Sequence, residues 1–229
     1  MSKAKNHRGF TIVEMMVVIA IMTLMAIGMM INNTRFGDNL ILNNLAYDIS
    51  TTIRQAQSYG LSTKNWINTI TPSSPNQGFD VGYGIRFASL DSATPGNKKF
   101  VMFFEKDNNW HCGLDSNVTL SSCQSSTEGM SNGSYLISGR SEISEICAIS
   151  ASGSLNDCYD FTTSTGQIKY LDIIFKRSDP DAQIEPEAHI STDISVYPNG
   201  YQRAEITLLA KTGFTRTVVV TAIGQILVK

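Results

Sequence analysis

The stretch Gly9–Ile31, GFTIVEMMVVIAIMTLMAIGMMI, decides how the rest of the chain is read. From Phe10 to Ile31 it runs 22 residues with one ionisable group, Glu14, and from Met15 onward only Thr23 and Gly28 interrupt the apolar side chains. Six of the nine methionines lie between Met15 and Met30. As a helix, about 20 such residues cover the roughly 30 Å hydrocarbon core of a bilayer, so the run predicts a membrane-spanning helix. Two other readings compete. A buried helix of a soluble protein has the same look, and Lys3, Lys5 and Arg8 form the basic start of a secretory signal. The apolar run outlasts the roughly 7–15 residues of a signal's central region, which favours the span. The basic flank predicts an N-terminus on the cytoplasmic side with the remaining chain across the membrane.

Glu14 is the anomaly in this run. A carboxylate near the start of a span is costly and ordinarily has a partner or a function. The basic leader, the Gly9-Phe10 junction, Thr11-Ile12-Val13-Glu14 and the uninterrupted apolar tract together resemble the prepilin signature of the type IV filament superfamily. That resemblance implies cleavage after Gly9 by a membrane peptidase and N-methylation of the new terminus, Phe10. It also implies that the apolar segment first anchors the chain and then becomes filament core. A further implication is that Glu14 of one subunit neutralises the Phe10 amine of its neighbour. Such a buried pair adds little net stability, but an unpaired member is strongly unfavourable, so the pair sets register. The family's tip pseudopilin often lacks the glutamate, so Glu14 argues against a capping subunit.

The helix is expected to continue. No proline occurs between Phe10 and Thr71, and Leu42, Leu45, Ala46, Ile49, Ile53 and Ala56 recur at helical steps along one face. Gly60 is a plausible stop, giving a helix of roughly 75 Å. The alternative is two helices broken near Asn32-Asn33 or Gly37. Many pilins carry a helix-loosening proline in the membrane half, and this sequence has only Gly28 there.

After Gly60 the period changes. Residues 71–78 read as a loop, followed by strand candidates at 81–88, 99–105, 134–138, 168–175, 204–210, 216–221 and 225–228. Leu208 to Arg216 reads as a hairpin turning at Gly213. No helical pattern separates the strands, so an antiparallel sheet is expected. The fold class is therefore α+β. By resemblance it is the type IV pilin-like fold, a long N-terminal helix with a membrane-embedded first half, packed on an antiparallel β-sheet domain. The expected organisation is a leader at 1–9, the helix at 10–60 with its membrane or filament-core part at 10–31, and an extracytoplasmic β domain at 61–229. The sheet part has some similarity to pseudopilin-H-type proteins.

Four cysteines, Cys112, Cys123, Cys147 and Cys158, form two couples with ten residues inside each. An even number in an extracytoplasmic domain favours disulfides. Three connectivities exist, and the local one, Cys112–Cys123 with Cys147–Cys158, is the expectation. Zinc competes because His111 adjoins Cys112, but no closely spaced cysteine couple supports it.

Catalytic signatures are absent from the sequence. His111 and His189 have no nucleophile motif beside them, and His7 leaves with the leader. The glycines of residues 78–84 do not open a helix, and close strand packing explains them better than a dinucleotide cradle. Asp179-Pro180-Asp181 and Asn156-Asp157 with Asp160 lack the spacing of a calcium loop. Asn117-Val118-Thr119 and Asn132-Gly133-Ser134 fit a glycosylation triplet. No enzyme, cofactor or metal is expected. Removing Lys3, Lys5 and Arg8 leaves 15 basic residues against 20 acidic ones, a net of −5, which disfavours a polyanion-seeking protein. A patch of Lys169, Lys176, Arg177, Arg203, Lys211, Arg216 and Lys229 is the residual route to nucleic acid.

The expected function is a structural subunit of a pilus-like filament: major pilin, minor pilin or secretion pseudopilin. The partners that the resemblance implies are homologous pilin subunits, prepilin peptidase, the membrane and an inner-membrane assembly platform. Two alternatives remain. One is a minor pilin binding a surface or DNA through loops between residues 106 and 160, and the other is a membrane-anchored protein outside any filament. The location implied is the cytoplasmic membrane, N-terminus in and C-terminus out, followed by an extracellular or periplasmic filament.

Overall fold

A computed structural model describes residues 9–62, 81–91, 94–105, 112, 120–125, 129–150, 156–188 and 200–229. Leader residues 1–8, the loop at 71–78, residues 79 and 80, His111, His189 and the triplet at Asn117 lie outside the described residues.

The first element, α1 (Ile12–Leu61), is one helix of 50 residues. It passes through Asn32-Asn33 and Gly37 without interruption, so the two-helix alternative does not occur. Its two halves differ in surroundings. Ile12–Met30 has a mean hydropathy of 2.4 and none of it is buried. Farther along, Leu42, Ala46, Ile49, Ile53 and Ala56 are fully buried, while Phe36, Leu40 and Tyr47 on the other side of the helix are exposed. The three- and four-residue spacing of the first set is what commits that face to the core.

The chain then forms β1 (Gly82–Ala88), a small ribbon of β2 (Leu90–Asp91) and β3 (Thr94–Pro95), β4 (Lys99–Glu105) and the short helix α2 (Leu120–Ser125). There follow β5 (Gly129–Leu136), β6 (Ser141–Ser150), β7 (Asn156–Asp160), β8 (Thr165–Gly166) and β9 (Ile168–Phe175). The last four strands are β10 (Ala182–Ala188), β11 (Tyr201–Ala210), β12 (Thr215–Thr221) and β13 (Ile226–Val228). They make two antiparallel sheets, of order β10-β9-β1-β4-β5 and β13-β12-β11-β6-β7-β8, where the strand pattern predicted one.

Both sheets close on α1. A single core joins its buried face to Phe87, Phe100 and Leu171 of the first sheet and to Ile146, Ile206 and Val218 of the second. The first sheet is covered on its other side as well. There Val101, Phe103, Tyr170 and Ile174 meet Leu120 of α2, Cys112 and Cys123. Burial on both faces is why β1, β4 and β9 read as nearly continuous apolar runs.

Polar contacts fix the helix against the sheets. Arg54 Nη2 donates to the Ile226 carbonyl at 3.3 Å, and Gln57 Nε2 donates to the carbonyls of Pro180 at 2.9 Å and Gly224 at 3.0 Å. Arg216 Nε donates to Asn43 Oδ1 at 2.7 Å. These contacts also order the strands along the helix. Tyr59 packs edge-on against Tyr83, which places the start of β1 at the far end of α1. The Arg216–Asn43 bond places the β11–β12 turn at the opposite end, toward Ile12–Met30. Ala210 pairs with Ser141, and Ile137 N–H donates to the Lys98 carbonyl, so the β5–β6 turn lies at that same end.

Strands lie where none was expected: the long β6, β7 and β10, and the two-residue β2, β3 and β8. Residues 106–160 are accordingly not a run of loops, because β5, β6 and β7 occupy most of the described part. The hairpin at Leu208–Arg216 is present. Its Gly213 has φ of 86°, a conformation that a residue with a Cβ adopts only under strain.

Candidate processing and assembly segment

Gly9 and Phe10 precede the helix in a non-helical, exposed stretch, with Phe10 82% exposed. A Cβ at Gly9 would meet nothing within 4 Å, and the backbone there is not left-handed. The fold therefore places no demand for glycine at this position.

Thr11 is the N-cap of α1, with extended backbone (φ −80°, ψ 151°). Its Oγ1 accepts from Glu14 N–H at 3.3 Å, and Glu14 Oε2 accepts from Thr11 N–H at 3.4 Å, a reciprocal capping box. The carboxylate thus folds back over the first turn and stands one residue from Phe10. Negative charge is also favoured here by the unpaired N–H groups and the helix dipole. Sequence reasoning singled out Glu14 but missed Thr11, although Thr-x-x-Glu ahead of an apolar run is the signal of such a box. Within the span, Thr23 Oγ1 donates to the Ala20 carbonyl at 2.8 Å, so this hydroxyl carries its own partner into an apolar environment.

The disulfides lie far along the chain from this segment. Cys112 bonds Cys123 (S–S 1.98 Å) and Cys147 bonds Cys158 (2.06 Å). The first bridge ties residue 112 to α2 over the first sheet. Beneath it Arg86 donates from Nε to Asp172 Oδ1 at 2.8 Å, from Nη2 to Oδ2, and from Nη1 to the Cys112 carbonyl at 3.1 Å. The guanidinium carbon also lies 3.8 Å from the centre of the Tyr170 ring. Sequence reasoning missed this pair. Its signal was Arg86 inside the apolar strand GYGIRFA and Asp172 among the apolar residues that follow Lys169 in IKYLDIIF, where an unpaired buried charge is prohibitively costly. The second bridge joins directly opposed residues of β6 and β7, with Glu145 close by. Both sulfurs are consumed in that bond, so the trio is not a metal-binding set.

The carboxylates of Asp157, Asp160 and Asp179 are engaged internally. Asp160 Oδ1 accepts from Thr162 N–H at 2.7 Å, Asp179 Oδ1 accepts from Asp181 N–H at 3.0 Å, and Asp157 accepts from the Tyr201 hydroxyl. The basic residues considered for nucleic acid do not form one patch. Lys211 and Arg216 lie at the β11–β12 turn, Lys176 and Arg177 follow β9 at the other end, and Arg203 Nε sits 2.9 Å from Glu205 Oε1.

Among known proteins, a family model described as the prokaryotic N-terminal methylation motif matches residues 4–30. Neither curated proteins nor solved structures give a match to the chain. The motif covers Gly9, Phe10, the capping box and the bare half of α1, and the α+β arrangement behind it is consistent with a pilin-like fold. Proteins with this motif are structural, non-enzymatic subunits, and the motif indicates processing by prepilin peptidase and assembly with other pilin subunits. Over residues 4–30 the chain is similar to the N-terminal segment of type IV prepilins and pilin-like proteins.

Proposed function

We propose that the protein is a structural subunit of a type IV pilus or pilus-like filament, cleaved after Gly9, N-methylated at Phe10 and assembled through α1. The observation that carries this reading is the division of α1. Its first 19 helical residues are apolar apart from Glu14 and wholly uncovered, whereas the second half is covered along one face by two sheets. An apolar surface of that length is not stable in water. Lipid covers it before assembly, and the same segment of neighbouring subunits covers it afterwards. Residues 1–9 are the leader, residues 10–60 the anchor and stem, and residues 61–229 the domain displayed outside the cytoplasm. The two disulfides fit an oxidising compartment, and the basic leader fits an N-terminus left on the cytoplasmic side. The assembly platform of the inner membrane then draws subunits from the bilayer, with Glu14 of one subunit meeting the Phe10 amine of the next.

Mass spectrometry of the mature chain tests the reading. The expected product lacks residues 1–9 and carries one added methyl on Phe10, and an uncut N-terminus would overturn it. For assembly, Glu14→Val is expected to be processed normally yet to yield few filaments. Filaments in normal number from that variant would remove Glu14 from the mechanism.

A further inference from the structure

The end of the β domain that faces the apolar span has a composition of its own. Asp38 is buried and Phe36 is 65% exposed, so the covered part of α1 begins between them. Asp38 lies eight positions after Met30, about 12 Å along the helix. Three segments gather at this level: Gly96–Lys98, the β5–β6 turn and the β11–β12 turn. Arg140, Lys211 and Lys229 are exposed there, the last because Lys229 is hydrogen-bonded to Thr217 near the foot of β12. Lys98 Nζ donates to the Ser141 carbonyl at 2.6 Å and lies 3.8 Å from Glu142. Against these four cations this end carries Glu142 and the buried Asp38, with Asp91 of β2 and Glu187 of β10 at the same end of the first sheet. Two apolar side chains project beside the cations, Leu136 at 77% exposure and Phe214 at 42%.

We propose that this end of the domain rests on anionic phospholipid headgroups while the subunit is held in the membrane, before assembly. The inference depends on the reading that Ile12–Met30 spans the bilayer. Cations flanked by exposed apolar and aromatic side chains are the composition of an interfacial contact. The height is also right. The headgroup layer adds about 5–8 Å beyond the hydrocarbon core, and attraction to surface charge extends about one Debye length further, ~8 Å at physiological salt. Because α1 is continuous and Arg54, Gln57 and Arg216 fix it to the sheets, the domain is held at this height. Lipid phosphate complements the cations, and Phe36, exposed on α1 just below the domain, belongs to the same interfacial band.

The test uses the full chain reconstituted in phosphatidylcholine vesicles with or without phosphatidylglycerol, carrying a headgroup-attached quencher. The described cysteines are all in disulfides, so one introduced cysteine is a specific labelling site. Fluorophores are placed singly at Thr212→Cys in the β11–β12 turn, at Ser178→Cys at the opposite end, and at Val18→Cys in the span. The expected result is quenching at position 212 but not at 178, stronger with phosphatidylglycerol and weakened by salt. Neutralisation by Arg140→Gln or Lys211→Gln is expected to reduce the contact population roughly fivefold for each charge removed. Equal quenching at 212 and 178, or indifference to lipid charge and to both substitutions, would overturn the proposal. If both substitutions leave lipid contact unchanged but block filament growth, the face belongs to a neighbouring subunit and the proposal falls. The Val18 label, read with an acyl-chain quencher, reports separately on the span. Its failure to quench would refute the membrane reading itself.

Discussion

Arg86 and Asp172 stand directly opposite each other on β1 and β9, joined by two hydrogen bonds, with almost no surface of either reaching solvent. The guanidinium spends a third donor on the Cys112 carbonyl, so one buried charge pair connects two strands to the first disulfide. Asp172→Ala leaves that guanidinium buried without a counter-charge and is expected to cost about 3–5 kcal/mol. The paired replacement Arg86→Met with Asp172→Leu is expected to recover most of the loss, because neither desolvated charge remains. Urea unfolding of the three proteins checks this. A double variant as unstable as the single one would show that the pair contributes more than its mutual neutralisation.

The two disulfides are expected to respond differently to reductant. Cys112 and Cys123 are both buried under the cover of the first sheet, whereas Cys158 is half-buried on the second. Graded reduction followed by peptide mapping is expected to open Cys147–Cys158 first. Each bridge closes a segment of sequence separation 11, worth about 3 kcal/mol in the chain-entropy model. Replacing Cys112 and Cys123 by serine is expected to lower stability by about that amount and to release α2. Opening of Cys112–Cys123 first would contradict the burial argument.

Acidity acts on the second sheet through Glu145. Burial, and then the charges of Asp160 and Glu205, push its carboxyl above the ordinary glutamate value. A raised carboxyl holds its proton more tightly in the folded chain than in the unfolded one. Its contribution is therefore fully present below the ordinary value and is lost as pH rises through the raised value. Asp160 has the opposite sign. A hydrogen bond from the Thr162 hydroxyl, the largest cause, holds it below the ordinary aspartate value, so its contribution is lost as pH falls. Glu145→Gln is expected to stabilise the protein at neutral pH and to flatten the decline just above the ordinary glutamate range. Unfolding midpoints recorded across pH 3 to 8, roughly the carboxylate and neutral range, test this. An unchanged profile would mean that Glu145 is not the group responsible.

Gly60 lies against the end of β9. A Cβ added there would stand 2.9 Å from the Phe175 carbonyl oxygen and 3.2 Å from the Lys176 carbonyl oxygen. Gly60→Ala is expected to cost about 1–3 kcal/mol, the range for overpacking against a fixed neighbour, despite alanine's better helix propensity. Gly28→Ala on the bare half meets nothing within 4 Å and is expected to leave the β domain's unfolding unchanged. Equal destabilisation by both substitutions would rule out the close approach as the cause.

The parts of the fold legible in sequence are those with a clean hydrophobic period or an unbroken apolar run. Lys99–Glu105 and Ile168–Phe175 matched their strands residue for residue, since helix on one side and the α2 cover on the other demand apolar side chains throughout. The strand Ser141–Ser150 escaped notice although it lies inside the second sheet. Ser141, Ser144 and Ser150 are buried in it, and Ser144 Oγ donates to the Thr207 carbonyl at 3.1 Å. Tertiary pairing with β11 makes that segment a strand, and composition carries little trace of it. Ala182–Ala188 was hidden by Pro186, which is tolerated because β10 is an edge strand. At the N-terminus, Gly9, Phe10 and Glu14 were readable through the resemblance of the basic leader, Gly-Phe junction and apolar run to the prepilin signature, and a lone carboxylate in an apolar run drew attention on its own. Arg86 and Asp172 lie 86 residues apart, and no local window contains both.

The bonds from Arg54, Gln57 and Arg216 reach different strands and turns, so the β domain can neither swivel about α1 nor slide along it. A tug on the outer domain therefore travels into the stem as axial load, with no intervening joint to absorb it. In a polymer of such subunits, the azimuth at which each helix seats against its neighbours would dictate which side of every domain looks outward. The surface pattern of the fibre would then be written at its axis.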